Sequence, residues 1–93
     1  MPYEVRLHRE VAKTLSRISP ELRSRIIKAL RSLQTDPFRS RSGADIARLS
    51  GAKGRQDLFR LRVGDYRAIY AVEKNVIYVT DLFHRERGYA QSH

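Results

Sequence analysis

Residues 59–67 read Phe59-Arg60-Leu61-Arg62-Val63-Gly64-Asp65-Tyr66-Arg67, and this stretch decides the fold. Phe59, Leu61 and Val63 alternate with Arg60 and Arg62, the period-2 pattern of a strand with one buried face. Gly64-Asp65 then supplies a two-residue turn with glycine in the first central position, as a type II′ hairpin requires. Tyr66 and Arg67 open the return strand. In that register Val63 pairs with Tyr66, Arg62 lies opposite Arg67, and Arg60 lies opposite Ile69. Opposed residues share a face, so Arg60, Arg62 and Arg67 are expected on one side of the sheet. Like charges set opposite each other destabilise a sheet. A phosphate ligand could use such an arrangement; an exposed face also carries arginines simply to stay solvated, and the spacing fits both.

Downstream, the pattern predicts a strand over 66–72, a turn at Glu73-Lys74-Asn75 and a strand over 76–83, followed by a polar, basic tail over 84–93. Upstream, the first hairpin strand starts near residue 56. Residues 38–55 read as a long loop, because Ser40, Ser42, Gly43, Ser50, Gly51 and Gly54 interrupt any period, although Ile46 and Leu49 are placed to dock into the core. Connections of that length are uncommon in small domains unless they serve a function.

The N-terminal third changes period twice. Tyr3, Val5 and Leu7 alternate with Glu4, Arg6 and His8, which predicts a short strand. From Arg9 onward Val11, Ala12, Leu15 and Ile18 fall at helical spacing. Ser19-Pro20-Glu21 starts a second helix: Ser19 can cap, Pro20 suits the first helical position, and Glu21 meets the positive end of the dipole. That helix carries Leu22, Ile26, Ala29, Leu30 and Leu33 on one face and ends at Thr35-Asp36-Pro37, where the residue before proline leaves helical geometry. Its basic residues, Arg23, Arg25, Lys28 and Arg31, read as a solvated face.

The expected order is therefore β-α-α-β-β-β, an α+β fold of two layers in which an antiparallel sheet packs against a helical hairpin. Phe59, Leu61, Val63, Tyr66, Ala68, Tyr70 and Val72 are assigned to the helix-facing side. The other side receives the arginines, Ile69 and Ala71 and, for a three-residue turn at 73–75, Ile77, Val79, Asp81 and Phe83. Asp81 is placed to pair with Arg67. An open face that is part basic and part apolar calls for a covering partner.

Composition sets the outer bounds. A chain of 93 residues, 41% hydrophobic, forms one domain over 1–93 with a modest core. It has no cysteine, which excludes disulfides, thiolate nucleophiles and thiolate metal sites. No apolar run reaches membrane-spanning length and the first residues lack the shape of a signal peptide, so a cytoplasmic protein with no membrane partner is expected. Lys plus Arg number 19 against 10 Asp plus Glu, a formal net charge of +9. Such an excess in a small, arginine-rich domain points to a polyanionic partner, nucleic acid first.

Several motifs, taken together and in order, make the chain resemble the RelE/ParE superfamily of toxins from bacterial and archaeal toxin–antitoxin modules. They are Tyr3-x-Val5, Ser19-Pro20 with Arg25-Ile26, Asp36-Pro37, Leu49-Ser50-Gly51, the 59–67 hairpin with Ile69-Tyr70, and the closing His84-Arg85-Glu86-Arg87-Gly88-Tyr89. The resemblance implies a RelE-like fold and one of two activities. RelE-type members cut mRNA in the ribosomal A site without a metal or other cofactor: a 2′-hydroxyl attacks the neighbouring phosphate, leaving a 2′,3′-cyclic phosphate and a 5′-hydroxyl. ParE-type members inhibit DNA gyrase and lack the nuclease residues. A third reading is a basic domain that binds only an antitoxin or nucleic acid.

By that resemblance Arg60 and Arg62 take the places of two strand lysines, and Arg67 matches the phosphate-binding arginine. Arg85 matches the arginine that protonates the leaving 5′-oxygen or stabilises its charge, and Tyr89 matches the tyrosine that stacks on the nucleotide. Arginine stays protonated in proteins and is a poor general base. Catalysis then leans on electrostatics and positioning, or on His84 as the base, histidine being the side-chain type suited to proton transfer near neutral pH. The implied partners are a cognate antitoxin protein, the ribosome and its mRNA, with a toxin–antitoxin hetero-oligomer as the resting assembly.

Overall fold

The computed structural model describes residues 2–49 and 57–86. Its elements are β1 (Glu4–Leu7), α1 (Arg9–Ser16), α2 (Pro20–Ser32), β2 (Asp45–Leu49), β3 (Leu58–Val63), β4 (Tyr66–Glu73) and β5 (Val76–His84). The strands form one sheet in the order β1-β5-β4-β3-β2, with α1 lying over β5 and α2 over β3. The two-layer α+β class follows from the sequence as expected. The sheet differs in two respects: it has a fifth strand, and it is mixed, because β1 runs parallel to β5. A strand separated from its neighbour by the whole chain shows nothing of its direction in local periodicity.

Each helix buries an apolar stripe against the sheet. Val11, Leu15 and Ile18 meet Ile26, Ala29, Leu30 and Leu33 over Leu61, Ala68, Tyr70, Ile77, Val79 and Leu82. A fully buried Leu or Ile side chain contributes about 1.5–3 kcal/mol, so this cluster dominates the stability. Helix starts follow local chemistry. His8 Nδ1 accepts the Glu10 amide at 3.0 Å and caps α1. Ser19 stands at the cap of α2 before Pro20, but its side chain makes no capping bond. Arg23, read from the sequence as solvated, donates to the carbonyls of Leu15 and Ile18 at 2.9 Å each and closes the end of α1. Arg41 does the same for α2 through the Ser32 carbonyl, also at 2.9 Å.

The hairpin register is the one the turn predicts. Val63 pairs with Tyr66, Arg62 with Arg67 and Arg60 with Ile69. Gly64 has φ +60, whereas Asp65 has no positive φ, in keeping with type II′ geometry.

Two further expectations fail. The segment 38–55 is not loop throughout: Asp45–Leu49 pairs antiparallel with β3 as an edge strand. Five residues are too few to show a period among serines and glycines, and pairing to β3 supplies what periodicity could not. The turn into β5 has two central residues, Lys74 and Asn75, with Glu73 opposite Val76 and Lys74 at φ +56. That one-residue difference sets Ile77 opposite Val72 and Val79 opposite Tyr70, moving Ile77 and Val79 from the open face into the core. A bulge at Thr80 then restores the phase, because Tyr70 pairs with Val79 whereas Ile69 pairs with Asp81. Asp81 and Phe83 consequently stay on the open face, as expected.

Candidate functional site

The open face of β3 and β4 presents Arg60, Arg62 and Arg67 together. In a two-residue hairpin Arg62 and Arg67 form the non-hydrogen-bonded pair next to the turn, where Cα atoms stand only about 4.5 Å apart. Without an anion, that spacing of two guanidinium-bearing residues is a repulsion that the fold has to offset.

Part of the offset comes from Asp45, which lies directly opposite Arg62 on β2. Its Oδ1 accepts from Arg60 Nη2 at 3.2 Å, and its Oδ2 lies 3.1 Å from Arg62 Nε. Arg60 is more enclosed than Arg62, with a side chain 27% exposed against 53%, and among the described residues its Nε is sealed from solvent with no hydrogen-bond partner. Asp45 is a site residue the sequence reading passed over, because it fell in the presumed loop. The signal that could have found it is a carboxylate immediately before Ile46, facing the arginine strand once residues 45–49 are paired.

A second grouping gathers at the hairpin turn. Arg67 Nη1 donates to the carbonyls of Gly64 and Tyr66 at 3.0 and 3.1 Å. The Arg85 backbone N–H donates to the Asp65 carbonyl at 2.8 Å, and Arg85 Nε lies 3.7 Å from Asp65 Oδ1. The end of β5 thus returns Arg85 to the same turn that Arg67 reaches, although the two are far apart in sequence. Asp65, read only as a turn residue, is the acceptor that holds this end together. The expected pairing of Asp81 with Arg67 is absent: Asp81 lies opposite Ile69 and accepts from Thr80 Oγ1 at 3.2 Å, while Arg67 is turned toward the hairpin.

His84 stands apart from Arg60, Arg62 and Arg67 but faces the same Asp65 carboxylate as Arg85. It pairs with Tyr66, on the helix-facing side of the sheet, and its ring meets Tyr66 edge-to-face at 5.4 Å. Its Nδ1 accepts the Glu86 amide at 3.3 Å, so the neutral ring carries its proton on Nε2, which lies 3.9 Å from Asp65 Oδ2. Nδ1 is occupied, whereas Nε2 faces Asp65 beyond hydrogen-bond distance, and the ring lies on the side of the sheet away from Arg60, Arg62 and Arg67. Tyr89 lies outside the described residues.

Aromatic side chains support the arrangement from behind. Phe59 stacks on Tyr70 with ring centroids 5.6 Å apart, and Phe38 meets Phe59 edge-on at 5.4 Å. The Tyr70 hydroxyl donates to the Pro37 carbonyl at 2.6 Å, which ties the segment leading to β2 onto β4. Burial pushes the Tyr70 phenol well above its ordinary range.

Chemically, the face offers several cations, two of them held by Asp45, a set suited to binding and stabilising phosphate oxygens rather than to abstracting protons. No helix among the described residues is long and apolar enough to cross a membrane.

Comparison with known proteins agrees with this reading of the fold and places it in a family. Residues 5–89 match the family model described as the ParE toxin of the type II toxin–antitoxin system parDE. RelE1 of Methanocaldococcus jannaschii is 29% identical over 91 residues, covering 96% of this chain and 97% of that one. Among solved structures, the archaeal RelE–RelB complex of Pyrococcus horikoshii superposes with a TM-score of 0.79 at 35% identity, covering 94% of this chain and 99% of the other. A mutant RelE from Escherichia coli in the free state shares the fold, with a TM-score of 0.69 at 20% identity and coverage of 99% and 93%. With its hairpin register, its clustered arginines and a family match spanning nearly its whole length, the chain belongs to the RelE/ParE toxin superfamily of type II toxin–antitoxin systems.

Proposed function

We propose that the protein is a RelE-type endoribonuclease that cleaves mRNA in the ribosomal A site and so inhibits translation. The observation that carries this reading is that Arg60, Arg62 and Arg67 share one face of the β3–β4 hairpin, with Arg85 brought back to the hairpin turn. Cleavage proceeds by attack of a ribose 2′-oxygen on the adjacent phosphorus, forming the 2′,3′-cyclic phosphate as the 5′-oxygen leaves. Arg60, Arg62 and Arg67 hold the non-bridging oxygens as negative charge builds, and Arg85 stabilises the departing 5′-oxygen. Preplaced cations in a partly dry site are worth far more to a transition state than mobile ones in water. Tyr89 stacks on the base. Because His84 lies on the opposite side of the sheet from Arg60, Arg62 and Arg67, the 2′-hydroxyl is activated by electrostatics and by positioning on the ribosome rather than by this imidazole: its proton passes to water, and water protonates the departing 5′-oxygen. A cognate antitoxin protein covers the open face in a hetero-oligomer and holds the toxin silent.

Programmed ribosomes mixed with antitoxin-free protein test the proposal: mapped 3′ ends should cluster in the A-site codon. Intact message at every protein concentration would rule the nuclease out. The match to a ParE model favours a second reading, inhibition of DNA gyrase. Loss of supercoiling activity in a purified gyrase assay, with ribosomal message left whole, selects that one.

A further inference from the structure

We propose that the cleft between α2 and the β3–β4 hairpin binds the phosphodiester backbone of RNA through Arg25 and Lys28, an inference that rests on the RNA-directed reading above. The cleft has a volume of about 480 Å³, and its lining includes Arg25 and Lys28 from α2, Arg62 from β3, and Gly64 at the turn. Arg25 and Lys28 are three residues apart on one helix face, so their side chains rise side by side over the same opening. Both are exposed, and among the described residues neither has a carboxylate within ion-pair distance.

Other charges around the cleft are already committed. Arg41 lines it, but its guanidinium donates to the carbonyls of Ser32, Asp36 and Arg39 and serves to hold the wall. Asp45 is the carboxylate in the lining, and its two oxygens are taken by Arg60 and Arg62. The free charge in the cleft is positive.

Continuity with the arginine face selects RNA over an acidic protein. Arg25 Nη2 lies 3.9 Å from the position a Cβ on Gly64 would take, so this guanidinium rests over the same turn that Arg67 and Arg85 reach. Arg62 borders the cleft and stands opposite Arg67. A strand lying between Arg25 and Lys28 therefore runs over Gly64 directly onto the phosphate-binding face. At Gly43 a Cβ would meet nothing within 4 Å among the described residues, which leaves that wall open for a backbone to pass.

The test measures binding of a labelled, mixed-sequence single-stranded RNA to the free chain across a salt series. It compares Arg25→Gln/Lys28→Gln with Arg9→Gln/Arg17→Gln, which removes the same charge outside the cleft. Losing two phosphate contacts should flatten the slope of log affinity against log salt by about 1.4, at about 0.7 per contact for single strands. The Arg9/Arg17 variant should keep the original slope, and both should keep the wild-type melting midpoint. An unchanged slope in the cleft variant, or an equal loss in both variants, overturns the proposal. So does a cleft variant that binds RNA normally and loses only an acidic protein partner. The two readings fail separately: a flattened slope without ribosomal cleavage removes the nuclease alone, and cleavage with an unchanged slope removes the cleft alone.

Discussion

Asp45 and Arg62 stand directly opposite each other across the β2–β3 pair, and the same carboxylate reaches on to Arg60. One anion from an edge strand therefore organises two cations of the next strand. The arginine face is stable because Asp45 stands in it, holding with two oxygens the guanidinium groups that a phosphate would hold.

Removing that carboxylate should cost stability unevenly. Asp45→Ala leaves Arg60 enclosed with its Nε sealed, so the coupling of Asp45 with Arg60 should be about 1 kcal/mol. Coupling with the more exposed Arg62 should be below about 0.5 kcal/mol and should fade with salt. Urea-denaturation double-mutant cycles at low and high salt measure both. Equal couplings would mean that Arg60 is no more desolvated than Arg62.

Activity should depend on Arg67 and Arg85 more than stability does. Arg67→Ala and Arg85→Ala should each lower ribosomal cleavage by about a hundredfold, the usual effect of removing one charge-stabilising donor. Their unfolding free energies should stay within about 0.5 kcal/mol of wild type. Growth arrest on expression reports the first effect and chemical denaturation the second. Undiminished toxicity in both variants would remove these residues from the site.

Gly64 is required by conformation rather than by space. Among the described residues a Cβ there would meet only Arg25 Nη2, at an ordinary 3.9 Å, but φ +60 is a left-handed geometry that costs an L-residue about 1–2 kcal/mol. Gly64→Ala should destabilise the fold by that amount in denaturant titration. It should also weaken RNA cleavage, because Arg67 and Arg85 are both anchored to this turn.

Tyr70→Phe keeps the stack on Phe59 and removes the bond to the Pro37 carbonyl. A buried carbonyl without its donor costs about 1–2 kcal/mol, readable as a lower denaturation midpoint with an unchanged m-value. A fall in m-value instead would show that the segment before β2 had come loose.

Asp36 predicts an acid-side effect. Its carboxyl is held below the ordinary value of 3.8, first by the Phe38 amide and, against a smaller burial effect, also by the Arg39 amide and the Arg41 and Arg39 charges. A folded-state pKa below the unfolded one adds stability that is fully present above the unfolded value and is lost as pH falls through the folded value. The melting-point advantage of wild type over Asp36→Ala should hold at neutral pH and shrink below about pH 4. An advantage that persists undiminished into strong acid would contradict the assignment.

How much of this was legible beforehand can be traced residue by residue. The hairpin could be read because its determinants lie within nine residues: alternation of Phe59, Leu61 and Val63 fixes the buried face, and Gly64 fixes the turn and hence the register. Arg60, Arg62 and Arg67 on one face follow from those alone. The helix boundaries at Pro20 and the stripe through Ile26, Leu30 and Leu33 are local in the same sense.

What the sequence by itself determined, then, is the α+β class, the hairpin and the shared face of its arginines, since periodicity and turn chemistry act over a few residues. Tertiary structure alone decided the rest. Pairing with β3 made a strand of residues 45–49 and delivered Asp45 to two arginines. Packing selected a two-residue turn and a bulge, which buried Ile77 and Val79. The return of β5 carried His84 to the helix-facing side and Arg85 to the turn. Each of these joins segments remote in sequence, and the choice among pairings rests on which one buries the core and satisfies the backbone, quantities that exist only once the layers meet.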